Sequence, residues 1–145
     1  MSRLAKAARI EAERLAQVVS AARAARGNAY APYSRYRVGA AVLTRGGAVY
    51  AGCNVENATY GATLCAERSA IAAMVTDGGR DPVAVAVVTA GPRPGAPCGI
   101  CRQVLVEQAA DMKVVLVAEG RDGKVIARRT TRLAKLLPEA FRLKA

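Results

Sequence analysis

The chain has 145 residues, of which 52% are hydrophobic, and its formal net charge is +11. This length and composition suit one folded domain, residues 1–145, with a buried core, and they exclude disorder as the overall state. No apolar run reaches about 20 residues, which argues against a membrane span. The N-terminus also lacks the compact apolar block of a secretory signal, so we expect a cytoplasmic protein without a membrane partner.

The basic residues that produce the net charge are spread over both ends of the chain rather than gathered into one run. A dispersed excess of this kind is more typical of solvated or subunit surfaces than of a nucleic-acid footprint, so we expect no nucleic-acid partner. Histidine is absent. Any catalysis must therefore use carboxylates, thiolates, hydroxyls or a metal ion.

Hydrophobic periodicity predicts a helix over residues 3–26, with one apolar face formed by Leu15, Val18, Val19 and Ala22. The remaining predicted elements, in chain order, are strands at 37–44 and 48–53 joined by a turn at 45–47, a helix at 65–76, a buried strand at 83–90, a helix at 99–109, strands at 113–118 and 124–128, and a short helix near 131–136.

This order of elements predicts an α/β fold, a three-layer α/β/α sandwich with a mixed five-stranded sheet. Right-handed crossovers would place the helices that start after residues 65 and 99 on the same side of that sheet. The cysteines at the starts of these two helices would then lie close together.

Three of the four cysteines suggest a metal site. Cys98 and Cys101 form a Cys-x-x-Cys pair, which alone fits a redox turn as well as a zinc site. Cys65 stands two positions before Glu67 at the start of another helix, and three thiolates would leave a fourth zinc position open for water, as catalytic zinc sites do. Glu67 would then act on that water, a pattern known for zinc-dependent nucleobase deaminases.

Three thiolates give the zinc site a formal charge of −1, which weakens the ability of the ion to acidify water. A cation hydrogen-bonded to the sulfurs would offset this charge. Arg68 follows Glu67 and Arg102 follows Cys101, and the residues alone do not decide between them.

Five segments resemble the small, homotetrameric, zinc-dependent cytidine deaminases. The two metal-site segments are residues 63–70 (TLCAERSA) and 97–105 (PCGICRQVL). The other three are residues 30–41 (YAPYSRYRVGAA), 52–58 (GCNVENA) and 136–141 (LLPEAF). Residues 1–12 have no counterpart that we can assign in this family.

The resemblance implies hydrolytic deamination of free cytidine or deoxycytidine in pyrimidine salvage, with one zinc ion per subunit and active sites near the interfaces of a homotetramer. It implies zinc ligation by Cys65, Cys98 and Cys101, proton transfer by Glu67, and a bond from Arg68 to the ligand sulfurs. The substrate would be bound by Asn54 and Glu56 at the ribose, Tyr36 and Ala66 at the base, and Phe141 from a neighbouring subunit.

Two other readings stay open. One is a related small-molecule aminohydrolase, such as a blasticidin S deaminase, which shares the metal motifs. The other is a non-catalytic zinc or redox protein. Asn54 and Glu56 favour a nucleoside sugar over the first, and Glu67 argues against the second. A polynucleotide deaminase is disfavoured by the cysteine at the first ligand position and by the few aromatic residues.

Overall fold

The structure is a computed structural model that describes residues 1–144. Its elements in chain order are α1 (Arg3–Gly27), β1 (Gly39–Thr44), β2 (Val49–Cys53), a 3₁₀ turn (Tyr60–Ala62), α2 (Ala66–Thr76), β3 (Pro82–Ala90), α3 (Gly99–Gln108), β4 (Lys113–Glu119), β5 (Val125–Arg132) and α4 (Leu133–Leu136).

The five strands form one sheet in the order β2-β1-β3-β4-β5. Only the central pair, β3 and β4, runs parallel, and the other three pairs are antiparallel. The β1–β2 hairpin turns through Gly47, whose φ of 94° lies in the left-handed region that glycine tolerates. The predicted mixed five-stranded sheet is confirmed.

Helices cover both faces of the sheet and divide the core in two. On one face, α1 packs Val18, Val19 and Ala22 against alternate residues of β1, β3 and β4. On the other face, α2, α3 and Leu133 of α4 pack against the intervening residues of the same strands. This alternation follows from the two-residue period of a strand, and it confirms the three-layer sandwich with α2 and α3 on a common side.

Two predicted strands differ from the observed ones by more than one residue at an end. β1 begins at Gly39 rather than at residue 37, because the Asn54 side chain occupies the backbone groups of residues 36 and 38. β5 extends to Arg132 rather than ending at residue 128. The sequence of β5 is exposed and basic and lacks the apolar pattern of a strand, yet β5 pairs with β4 along the whole length of β4.

Gly52 in β2 lets this strand pass close to the second turn of α2. A Cβ at Gly52 would lie 2.5 Å from the backbone nitrogen of Ala70 and 2.5 Å from Cβ of Ser69. The Ser69 hydroxyl donates a hydrogen bond to the Cys53 carbonyl at 2.8 Å. These contacts hold the segment after β2 beside the N-terminus of α2. Among residues 1–144, no helix has the length and apolar character needed to cross a membrane.

Candidate active site

Three thiols lie together where α2 and α3 begin. Cys65 and Cys98 are the residues that cap the N-termini of α2 and α3, and Cys101 lies in the first turn of α3. Their sulfur atoms all lie within 4.8 Å of one another. Four-coordinate zinc with bonds of about 2.3 Å holds its sulfurs roughly 3.8 Å apart. The donor set and spacing therefore fit a zinc ion with small adjustments.

The surroundings of Cys65 favour its thiolate. A hydrogen bond from the Cys101 thiol lowers the pKa of Cys65 to about 5, although burial opposes the shift, and Arg68 and Cys98 lower it further. The same hydrogen bond, together with burial, raises the pKa of the Cys101 thiol. A thiolate is the form that binds zinc. The cluster thus already holds one ligand in the charged form.

Arg68, and not Arg102, is the arginine at the sulfurs. Its Nη2 donates to the Thr63 carbonyl at 2.7 Å and lies 3.9 Å from Cys65 Sγ. Its buried Nε has no hydrogen-bond partner among the described residues. Arg102 instead donates to the carbonyls of Pro97 and Leu136, at 2.8 and 2.7 Å. Of the two arginines left open by the sequence, Arg68 is therefore the one that lies next to the sulfurs.

Glu67 lies beside the thiol cluster in the first turn of α2 and is 5% exposed. Cys101 Sγ donates to its Oε2 at 3.6 Å. Burial raises the pKa of this carboxyl, and the negative charge of Cys65 adds to the effect. A carboxyl group with a raised pKa next to a metal site can both accept and return a proton.

Most of the residues predicted for the site line a single cavity of about 290 Å³. The lining brings Cys65, Glu67 and Cys98 together with Asn54 and Glu56. Cys101 is fully buried and does not contribute to the lining. The predicted residues that contribute to the lining are Tyr36, Asn54, Glu56, Cys65, Ala66, Glu67 and Cys98.

Asn54 ties the wall of this cavity to the loop before β1. Its Oδ1 accepts from the Val38 amide at 2.9 Å, and its Nδ2 donates to the Tyr36 carbonyl at 2.8 Å. An amide side chain has two donors and two acceptor sites. One N–H and one lone pair of Asn54 therefore remain for another partner.

Glu56 is held by a residue to which the sequence gave no role. Its carboxylate accepts from the Ser34 backbone amide at 3.2 Å and from the Ser34 hydroxyl at 3.0 Å. Ser34 also lines the cavity. Ser34 belongs to residues 30–41, one of the five segments that resemble the family, and this membership could have identified it as a site residue.

Thr89 and Gly95 are two further lining residues that sequence reasoning missed. The Thr89 hydroxyl accepts from the Gly95 amide at 3.1 Å, and a Cβ at Gly95 would lie 2.7 Å from the Tyr36 hydroxyl. Tyr36 therefore reaches across to the loop after β3. Thr89 is the single hydroxyl in the apolar run at residues 83–90, which could have drawn attention to it.

Phe141 lies outside the cavity lining and is 69% exposed. Its carbonyl accepts a hydrogen bond from Gln103 at 2.9 Å, which fixes the tail against α3. The role predicted for Phe141 concerns the site of a neighbouring subunit, and it stays a prediction.

The family described as the cytidine and deoxycytidylate deaminase zinc-binding region matches residues 12–118, which include all three clustered cysteines. The chain belongs to this family. A cytidine deaminase from Halalkalibacterium halodurans is 49% identical over 118 residues, which cover 81% of this chain and 86% of that protein. A cytidine deaminase from Mycobacterium tuberculosis is 45% identical over 115 residues, with coverages of 79% and 80%.

Solved structures of this deaminase family share the fold. The cytidine deaminase of Burkholderia pseudomallei superposes with a TM-score of 0.76 at 47% identity, covering 86% of this chain and 97% of that one. The enzyme from Mycobacterium tuberculosis gives a TM-score of 0.71 at 39% identity, with coverages of 89% and 98%. Family membership and the thiol cluster together identify zinc as the cofactor.

Proposed function

We propose that this deaminase converts free cytidine or deoxycytidine and water into uridine or deoxyuridine and ammonia. The observation that carries the proposal is a single cavity whose lining combines thiols of the three-cysteine zinc site and a buried carboxyl group with Asn54 and Glu56. The thiols and the carboxyl group suit hydrolysis at a ring carbon, and Asn54 and Glu56 suit sugar hydroxyl groups.

In this mechanism Cys65, Cys98 and Cys101 hold the zinc ion. When bound, zinc lowers the pKa of a water molecule and supplies a nucleophile at neutral pH. The Glu67 carboxylate would accept one proton of the attacking water and deliver it to N3 of the pyrimidine. After addition at C4, Glu67 would take the second proton of that water from the new C4 hydroxyl group and pass it to the amino group, which leaves as ammonia. Arg68 offsets the negative charge of the thiolates from its place beside Cys65.

Asn54 and Glu56 hold the ribose in this proposal. Asn54 keeps one N–H and one lone pair after its two backbone bonds. Oε1 of Glu56 accepts both the amide and the hydroxyl of Ser34, whereas Oε2 accepts only the amide and can accept a further hydroxyl. A blasticidin S-type substrate would leave a sugar-binding arrangement of this kind unused. Tyr36 and the backbone at Ala66 are the proposed contacts of the base, since both line the same cavity.

Further parts of the proposal concern the whole protein. Residues 1–145 act as one catalytic domain, and the active unit is a homotetramer in the cytoplasm that serves pyrimidine salvage. The exposed Phe141 supports the tetramer, because a large apolar side chain on the surface can enter the site of a neighbouring subunit.

Two variant pairs test the assignments of the site. Glu67→Gln is expected to retain zinc, measured by elemental analysis, and to lose cytidine turnover by at least about 10²-fold. Glu107→Gln, at an exposed glutamate of α3, is the matched control and is expected to keep both. Cys98→Ala is expected to lose zinc and turnover, whereas Cys53→Ala, outside the thiol cluster, is expected to keep them.

The outcomes separate the competing functions. Undiminished turnover in Glu67→Gln would refute the proton-transfer role of Glu67. A protein that binds zinc but leaves cytidine unchanged would instead be a non-catalytic zinc protein or an aminohydrolase for another substrate. Turnover of cytosine at the rate of cytidine would contradict the roles given to Asn54 and Glu56.

A further inference from the structure

A second cavity of about 500 Å³ lies at the strand ends on the side of the sheet away from the active site. It is bordered by the end of β1, the beginnings of β3 and β4, and the end of β5, whereas the active-site cavity lies at the other ends of β1 and β3. The N-terminal part of α1 contributes Ala7, Ile10 and Glu11 to its wall. These three residues precede the part of the chain that matches the family, which begins at residue 12.

The charged groups of this second cavity are mostly basic. Arg14, Arg45, Lys113 and Arg132 line it together with one carboxylate, Glu11. Lys113 forms an ion pair with Glu11, and this ion pair lowers the pKa of the Glu11 carboxyl. The carboxylate therefore stays charged at neutral pH, and the lining carries a net charge of three positive units.

Two of these cations have no anionic partner in the part of the chain that the structure describes. Arg132 is paired with Asp111 at 2.7 Å, from outside the lining, but no carboxylate within residues 1–144 pairs with Arg14 or Arg45. Arg14 comes from α1, and Arg45 comes from the turn after β1. Guanidinium groups bind phosphate through paired hydrogen bonds, which makes a phosphoryl group the best match for this pair.

The rest of the wall is apolar. Ile10, Leu15, Leu43 and Val83 lie along it. A cavity of this volume, mainly apolar with a few charged groups, is within the usual size range of about 300–1,000 Å³ for small-molecule sites. Inorganic phosphate would bind the arginines but would make no contact with the apolar part of the wall.

We propose that this second cavity binds a nucleoside di- or triphosphate, with its phosphates between Arg14 and Arg45 and its base against the apolar wall. The site is separate from the catalytic cavity, where the Glu56 carboxylate would repel phosphate. It gives a role to the N-terminal residues that the family match leaves out and to part of the net charge of +11. The proposal does not depend on which nucleoside the enzyme deaminates.

The test is titration calorimetry on the zinc-loaded protein with adenosine triphosphate as the probe, in parallel with adenosine and tripolyphosphate. The expected result is binding of adenosine triphosphate, no binding of adenosine, and weaker binding of tripolyphosphate. Arg14→Gln and Arg45→Gln are each expected to weaken nucleotide binding by at least about tenfold, because each removes a charged hydrogen-bond donor. Arg121→Gln, in the turn between β4 and β5 at the other end of the sheet, is the matched control and should change affinity by less than about twofold.

Ile10→Ser distinguishes a nucleotide site from a general anion surface. It is expected to weaken binding of adenosine triphosphate and to leave tripolyphosphate unaffected, because only the base contacts the apolar wall. Cytidine turnover measured without nucleotide should be unchanged in all four variants. Failure of adenosine triphosphate to bind would overturn the proposal. So would equal affinity for tripolyphosphate, or binding that persists in both arginine variants.

Discussion

Asn54 provides a quantitative test of how the active-site wall is built. In Asn54→Ala, the Val38 amide loses its acceptor at 2.9 Å and the Tyr36 carbonyl loses its donor at 2.8 Å. A half-buried amide left without a partner costs about 1–2 kcal/mol, and the more exposed carbonyl costs about 0.5–1 kcal/mol because water can reach it. The expected loss in the free energy of unfolding is therefore about 2 kcal/mol.

For a domain of this size, each kcal/mol corresponds to a shift of roughly 2–4 °C in Tm, so Asn54→Ala should melt about 4–8 °C below the parent protein in calorimetry. Its KM for cytidine should also rise, because Asn54 is a proposed ribose contact and its bond to the Tyr36 carbonyl holds another residue of the cavity lining in place. The matched control is Asn57→Ala. Asn57 is exposed and accepts one bond from Thr59, so its loss should cost under about 0.5 kcal/mol. Equal melting temperatures for the two variants would refute the reasoning.

Three more expectations concern helix packing, pH and the metal environment. Gly52→Ala places a methyl group 2.5 Å from α2 backbone and should destabilise the protein by at least about 1–3 kcal/mol in urea unfolding, whereas Gly46→Ala should be neutral; equal stabilities would contradict the close approach of β2 and α2. The pKa of the Asp111 carboxyl is lowered: burial raises it, but the hydrogen bonds that it accepts from the Ala134 amide and from Arg132 outweigh this effect. The Asp111 carboxylate therefore stabilises the fold at neutral pH, and this contribution is lost as the pH falls below about 4. The difference in free energy of unfolding between the parent protein and Asp111→Asn should shrink over that range, and a difference that grows on acidification would contradict the lowered pKa. Arg68→Gln should reduce zinc affinity by about 10–100-fold in a competition assay with a chelator, while Arg80→Gln should not, and unchanged zinc affinity in Arg68→Gln would remove Arg68 from the metal environment.

The sheet and the two helices that carry the cysteines could be predicted from sequence because their signals are local. Alternating burial, a long apolar run at residues 83–90 and glycines at turns define strands and their limits. β5 was predicted too short because pairing with β4 stabilises a strand that is itself exposed and basic. Tertiary pairing of this kind leaves little trace in the hydrophobic pattern.

The composition of the metal site was also predictable, since ligand residue types and their spacing are written in the chain. The contacts that orient the site were not. The bonds of Asn54 to residues 36 and 38 and the bond of Ser34 to Glu56 join segments that are distant in sequence. The choice between Arg68 and Arg102 depended on carbonyl groups at Pro97 and Leu136 that only folding brings within reach of Arg102.

Cytidine turnover by the purified protein, followed by ultraviolet absorbance before and after zinc removal, tests the central claim most directly. The untreated protein should contain about one zinc ion per chain and convert cytidine to uridine with release of ammonia. The chelator-treated protein should be inactive and recover when zinc is restored. Full activity in protein shown by elemental analysis to be free of metal, or zinc-loaded protein that leaves cytidine intact, would contradict the account.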